Sequence, residues 1–414
     1  MELILGIFYL GVTLVFGALV AKLAEKFDIP DIPLLLLVGV LIGPILHIMP
    51  TKSAMDIFDI VGPIGLIFIL LGGAFTMRMS ILKNVMGPVI RLDTIALVIT
   101  LLITGLAFNL IAGLDIYNPA GYLIGAILCA TDPATLIPVF SKVKINPEIA
   151  ITLEAESIFN DPLGIVATTL VLATLGLGKS VNPIIDLISL AGGAIIVGYI
   201  AAKIFKWVIT RAKFYEYVAP LVLGGAMILL YLGEYLFPKI IGYGFSGYMA
   251  IAIMALILGD DLSKIAEEKE DYECIVKFSD VLALLSRIFI FVFLGACVQL
   301  DVLFKYFVPG LIVALVSILI ARPIGVFIAL IKTKFNFGEK LYIALEGPRG
   351  VVPAALTVTA AILILKHIDV ISRFVPNPTE YSHLILVSGF LTILVSVILE
   401  ASWAGILAEK LLKK

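Results

Sequence analysis

The sequence predicts an all-helical membrane protein of about thirteen spans, arranged as a six-plus-six inverted repeat with two interrupted helices. Three observations predict it. Of the 414 residues, 61% are hydrophobic and 14% charged, whereas soluble domains run at about 45–50% apolar and 25% charged. The apolar residues fall in runs of about 20, long enough to cross a bilayer as helices with every backbone group paired internally. Two of these runs, in spans five and twelve, carry the same interruption: two prolines five residues apart with a charged residue beside the first.

Charged residues and Pro/Gly punctuation separate the runs at about 3–24, 34–49, 57–77, 90–113, 119–141, 147–176, 182–204, 216–236, 242–260, 279–299, 308–331, 339–366 and 382–408. The run at 34–49 is short, and the run at 147–176 carries several polar residues. Cytoplasmic loops hold the excess of Lys and Arg, so charge sets the orientation. With the N-terminus outside and the C-terminus cytoplasmic, 20 Lys and Arg fall in inside segments and 6 in outside ones, with Arg287, Arg322 and Arg349 within spans. Adding or removing one mid-chain helix would put the later loops on the wrong side. The expected location is therefore the cell membrane, multi-pass, with the lipid bilayer as a partner. The chain opens Met-Glu-Leu-Ile without a positive leader, so the first run is expected to be retained as a helix. The most hydrophilic stretch, Asp260–Asp280, is expected to be a solvated cytoplasmic loop.

A net charge of −2 points to no nucleic-acid partner. Cys129, Cys274 and Cys297 show neither a disulfide framework nor zinc spacing, and His47, His367 and His383 form no ligand motif. No cofactor is expected.

The paired interruptions organise the chain. Span five holds Thr131-Asp132-Pro133-Ala134-Thr135-Leu136-Ile137-Pro138, and span twelve holds Gly347-Pro348-Arg349-Gly350-Val351-Val352-Pro353. A proline inside a helix removes one hydrogen bond and clashes with the carbonyl four residues back, so both centres are expected to be unwound. The two spans lie seven apart in order and run in opposite senses. With span seven as a linker, the chain divides into repeat one (about 3–176), a linker helix (about 182–204) and repeat two (about 216–408). Interrupted spans in matching positions of two halves point to an ion site.

An ionisable side chain at bilayer depth costs at least ~2.5 kcal/mol on insertion scales, and so marks function by default. This chain places Asp93 in span four, Asp132 in span five, and Glu154, Glu156 and Asp161 in span six, with Glu346 and Glu400 near helix ends. Glu154, Ser157 and Asp161 follow i, i+3, i+7 and share one helical face; Glu156 and Asn160 lie on the adjoining face. Pro162 and Pro133 each free a backbone carbonyl beside an aspartate. Carboxylates, a hydroxyl, an amide and free carbonyls are hard oxygen donors. They suit hard cations and also accept protons. Competition of a cation and a proton for the same carboxylates is sufficient for exchange. A buried carboxylate keeps its charge beside an arginine. Glu156 is therefore expected to pair with Arg322, with Asn160 hydrogen-bonded within that pair, leaving Asp161 as the working carboxylate.

The stretches Ala-Thr-Asp-Pro-Ala-Thr (130–135), Leu-Glu-Ala-Glu-Ser-Ile-Phe-Asn-Asp-Pro (153–162), Ala-Arg-Pro-Ile-Gly-Val (321–326) and Glu-Gly-Pro-Arg-Gly-Val-Val-Pro (346–353) resemble, in this order, the sodium/proton antiporters of the cation/proton antiporter superfamily. The resemblance is to the archaeal NhaP type, related to the eukaryotic sodium/proton exchangers, and runs from the first span to the last. It implies a six-helix core bundle, a dimerisation bundle and a homodimer, with the interrupted helices of spans five and twelve crossed. It implies a Na⁺ site built from Asp132, Asp161, Ser157 and the carbonyl of Thr131, with Glu156 near it; the intramembrane charges and polar groups already named add Asn160, Arg322, Arg349, Asp93 and Glu154 as expected supporting residues. It implies Na⁺ or Li⁺ exchanged for protons, and the Asn160-Asp161 pair resembles the electroneutral branch. The long regulatory tail of the eukaryotic exchangers is not expected, since the chain ends soon after span thirteen.

Two other readings compete. A potassium/proton antiporter or another proton-coupled transporter would differ in ion selectivity. An intramembrane aspartyl protease would need a Gly-x-Gly-Asp motif and a Tyr-Asp motif on neighbouring spans; the nearest match, Ile257-Leu258-Gly259-Asp260, lacks the first glycine, and Tyr-Asp does not occur. An enzyme is not expected.

Overall fold

The computed structural model of the chain describes residues 2–133, 145–178, 182–212, 214, 217–265 and 269–412. Pro138, the second proline of span five, lies outside them. The helices are α1 (Glu2–Phe27), α2 (Asp31–Ile45), α3 (Thr51–Phe75), α4 (Met79–Ile111), α5 (Pro119–Ile127), α6 (Pro147–Leu177), α7 (Pro183–Ala212), α8 (Val218–Ile240), α9 (Gly247–Leu262), α10 (Lys269–Cys297), α11 (Leu300–Ala329), α12 (Phe337–Leu345), α13 (Val351–Lys366) and α14 (Pro378–Leu411). Each of the thirteen expected spans has its helix. The fifth is begun by α5, and the twelfth is split into the half-helices α12 and α13, with 346–350 unwound between them.

Local chemistry fixes several starts. Asn118, Asn146, Asn182 and Asn377 each precede a proline, and each side chain accepts a backbone N–H of the first turn that follows. The asparagine caps a donor that the helix cannot pair, and the proline occupies the position where a missing N–H costs nothing. Asn336 and Glu339 close a reciprocal capping box on α12.

Two expected boundaries move. α4 begins at Met79 rather than near 90, and α10 at Lys269 rather than near 279. Hydropathy marks where the bilayer ends, but helical hydrogen bonding continues past it. The expected hydrophilic loop Asp260–Asp280 is thus in large part the end of α9 and the first turns of α10. Pro88 lies inside α4.

The helices pack in two groups. α4, α5, α6, α11, α13 and α14 pack on one another, and α12 packs on α11 and α14. α1, α2 and α3 pack with α8, α9 and α10, and α7 lies against α9. In the second group α2 and α10 cross at glycines. A Cβ on Gly39 would come within 2.1 Å of the Val292 carbonyl oxygen, and one on Gly295 within 2.2 Å of the Leu36 oxygen. Small residues let membrane helices approach this closely. Where the two groups meet, α3 and α10 face α6 and α13.

Candidate functional site

The two unwound segments meet. The Asp132 backbone N–H donates to the Pro348 carbonyl at 2.7 Å. A Cβ on Gly350 would lie 2.2 Å from the Asp132 Cβ, so only glycine permits this approach. Each interruption thus gives part of its freed backbone bonding to the other, which answers how broken helices are tolerated at membrane depth.

Asn160 on α6 clamps the first segment. Its Nδ2 donates to Thr131 Oγ1 at 2.8 Å, and its Oδ1 accepts the Thr131 N–H at 3.3 Å. Asn160 was expected within the Glu156–Arg322 pair; the structure uses its amide on Thr131 instead. The reason is geometric. An amide can donate and accept at once, and Thr131 offers its unwound backbone N–H as donor and its side-chain hydroxyl as acceptor.

A cavity of about 400 Å³ lies against this crossing, lined by Asp132, Glu154, Ser157 and Asp161, by Gly72 and Gly73 of α3, and by Asp280 and Arg287 of α10. The shared face of Glu154, Ser157 and Asp161 descends into it. Glu154 is exposed, Ser157 half-buried and Asp161 buried. Asp161 Oδ1 has no hydrogen-bond donor among the described residues. This donor set is the hard-oxygen chemistry that suits an alkali cation or a proton.

Behind α6 sits a second set of charges. Arg322 makes a bidentate pair with Glu156, Nη1 to Oε1 at 2.9 Å and Nη2 to Oε2 at 3.2 Å, with side-chain exposures of only 5% and 4%. Its Nη2 also donates to the carbonyls of Ile343 (3.3 Å) and Glu346 (2.9 Å), capping the broken end of α12. Arg349 donates to the Gly347 carbonyl at 2.7 Å and to Ser317 Oγ at 3.1 Å. Glu400 accepts the Gly347 N–H at 2.5 Å, and Ser396 accepts the Arg349 N–H at 3.0 Å. The arginines and Glu400 therefore hold the second unwound segment in shape. Asp93 is buried in a wide π-type turn at Leu92–Ala96, and neither carboxylate oxygen has a hydrogen-bond partner among the described residues.

The structure thus brings Asp132, Glu154, Ser157 and Asp161 to one cavity. It places Thr131 beside that group and Glu156 behind it, paired with Arg322 rather than in the lining. Sequence reasoning passed over Asp280 as a loop residue. Its signal was the spacing to Arg287, seven residues and one helical face away.

The family description of a transmembrane sodium/hydrogen exchanger matches residues 11–409. The chain belongs to the sodium/hydrogen exchanger family. Within that family it is 63% identical to Na(+)/H(+) antiporter 1 of Methanocaldococcus jannaschii, covering 100% of this chain and 97% of that protein. It is 47% identical to the probable Na(+)/H(+) antiporter 2 of the same organism, over 100% and 99% of the two chains. A K(+)/H(+) antiporter NhaP of Alkalimonas amylolytica is more distant, 29% identical over 85% of this chain and 60% of its own. The solved structure of the Methanocaldococcus jannaschii sodium proton antiporter MjNhaP1 at pH 8 superposes with a TM-score of 0.96, at 63% identity and with both chains covered 100%.

Proposed function

We propose that the protein is a secondary antiporter that exchanges Na⁺, and also Li⁺, for H⁺ across the cell membrane, one ion for one proton. Both ions compete for Asp161 and Asp132. Ser157 and the Thr131 carbonyl complete the cation's oxygen shell, and Asn160 positions Thr131. The observation that carries this reading is the cavity in which Asp132, Ser157 and Asp161 converge beside two unwound segments. The 63% identity to a Na(+)/H(+) antiporter over the whole chain supports sodium as the cargo.

The coupling follows from electrostatics. A buried carboxylate left charged and unpaired costs several kcal/mol. The site therefore crosses the membrane with a cation or with a proton, and not with neither. The group of α4–α6 and α11–α14 carries the site against the group of α1–α3 and α8–α10, with the cavity at the seam on one side. Each group takes three spans from each inverted repeat, α1–α6 forming the first repeat and α8–α14 the second, with α7 as the linker between them. With the N-terminus outside, the Glu154 end of α6 faces the cytoplasm and the cavity is inward-open. A second copy of the chain completes a homodimer.

The test is proton flux in proteoliposomes carrying an internal pH dye, with Na⁺, Li⁺ or K⁺ imposed in turn as a gradient. Na⁺ and Li⁺ are expected to drive proton movement. Asp161→Asn and Asp132→Asn are expected to abolish it while the purified proteins keep their thermal stability. Normal sodium-driven flux in either variant would overturn the site, and flux driven by K⁺ alone would reassign the cargo.

A further inference from the structure

The cavity has two charged ladders, and the antiport mechanism uses only one. On α6, Glu154, Ser157 and Asp161 descend from exposed to buried. Facing them on α10 stand Asp280, Ala283, Leu284 and Arg287, again one helical face over seven residues. Seven residues cover about 10 Å of helix axis. α6 and α10 are four crossings apart and so run in the same sense. Asp280 and Arg287 therefore succeed each other along the cavity in the same direction as Glu154 and Asp161. Among the described residues, Arg287 is the only cationic side chain in a lining that holds Asp132, Glu154, Asp161 and Asp280.

Arg287 is not left to face the site alone. Its Nη2 lies 3.1 Å from Asp31 Oδ2, with side-chain exposures of 34% and 16%. The scaffold sets this pairing. α2 and α10 cross at Gly39 and Gly295, and Asp31 and Arg287 each lie eight residues before that crossing. Equal offsets from a tight crossing of parallel helices bring the two side chains to the same level. Asp31 also opens α2, where the helix dipole favours a negative charge.

We propose that Arg287 is an affinity-determining residue for the cation, and that Asp31 is a positioning residue that keeps the Arg287 charge off the cation path. The inference rests on the antiport reading. With the pair intact, the cavity presents the carboxylates with little opposition. With Asp31 neutralised, a free guanidinium stands across the cavity from the Na⁺ site and competes with the ion for the same carboxylates. At a separation of roughly 10 Å and an effective dielectric of about 20, one added unit charge changes a binding constant about tenfold.

The experiment measures KM and kcat for Na⁺-driven proton flux in proteoliposomes at one fixed pH. Asp31→Asn is expected to raise KM about tenfold, with a much smaller change in kcat. Arg287→Gln is expected to leave KM at or below the wild-type value. The double variant is expected to return to the Arg287→Gln value, because Asp31 acts only through Arg287. The Asp31→Asn effect is expected to shrink as ionic strength is raised with choline chloride. Arg287→Lys and Asp31→Glu, which keep the charges, are expected to stay near wild type; they and Arg287→Gln decide the matter if Asp31→Asn does not fold. Asp31→Asn and Arg287→Gln raising KM together, or a double variant equal to the sum of the singles, would overturn the proposal and make the pair a structural tie only. Absence of sodium-driven flux in the wild-type protein would instead overturn the antiport reading itself.

Discussion

Replacing Arg322 by alanine removes one guanidinium and strands three groups at once. Glu156 is left without its ion-pair partner at 4% side-chain exposure, and the carbonyls of Ile343 and Glu346 lose a donor at the broken end of α12. Losing one partner of a buried ion pair costs about 3–5 kcal/mol, and each buried carbonyl left unpaired adds up to about 1–3 kcal/mol. Arg322→Ala is therefore expected to lower the melting temperature of the purified protein by many degrees. Glu156→Gln is expected to cost less, since Arg322 keeps both carbonyl acceptors and the amide oxygen still accepts. In the double variant the charges balance again but the two carbonyls remain bare. It is expected to recover about half of the Arg322→Ala loss, a coupling of about 2–3 kcal/mol between the sites. The assay is a double-mutant cycle on thermal unfolding in detergent, followed by intrinsic fluorescence. A double variant as unstable as the sum of the two singles would refute the reasoning, because the charge of Glu156 would then not depend on Arg322.

Gly350→Ala is expected to abolish sodium-driven flux with a modest loss of stability, since the added Cβ falls 2.2 Å from the Asp132 Cβ and must push the carboxylate aside; normal flux in that variant would contradict the close crossing. Asn160→Ala is expected to free both Thr131 groups and raise the KM for Na⁺, while destabilising the protein by about 1–3 kcal/mol through the unpaired buried donor and acceptor; an unchanged KM would remove Asn160 from the site. Exchange is expected to be electroneutral, because Asn160 cannot titrate, Glu156 is held by Arg322, and one proton replaces one Na⁺. A net charge per cycle would respond to voltage by about 2.3 kcal/mol per 100 mV. An exchange rate or end point that shifts with potential in valinomycin-clamped proteoliposomes would therefore refute one-for-one coupling.

The charge network behind α6 gives the site its rigidity. Arg322 closes α12, while Arg349, Ser396 and Glu400 bond the unwound 347–349 segment. The second segment crosses Asp132, so anything that loosens it moves a residue of the proposed cation site. This ties a stability network to a proposed site it does not line.

The sequence by itself determined what depends on neighbours along the chain. Apolar runs set the thirteen spans, and Asn-Pro pairs set the starts of α5, α6, α7 and α14. Helical periodicity placed Glu154, Ser157 and Asp161 on one face, and the need to neutralise a buried carboxylate pointed from Glu156 to Arg322 across 166 residues. The tertiary structure decided what depends on which helix stands opposite. Asn160 turned to Thr131 because the fold brings the unwound N–H of Thr131 and its hydroxyl within reach of the amide as donor and acceptor. Glu400 reached Gly347 because α14 passes the break in span twelve. Asp280 and Arg287 faced the cavity because α10 packs where the two helix groups meet. Periodicity tells which residues share a face, but the partner of that face comes from the packing of helices far apart in sequence.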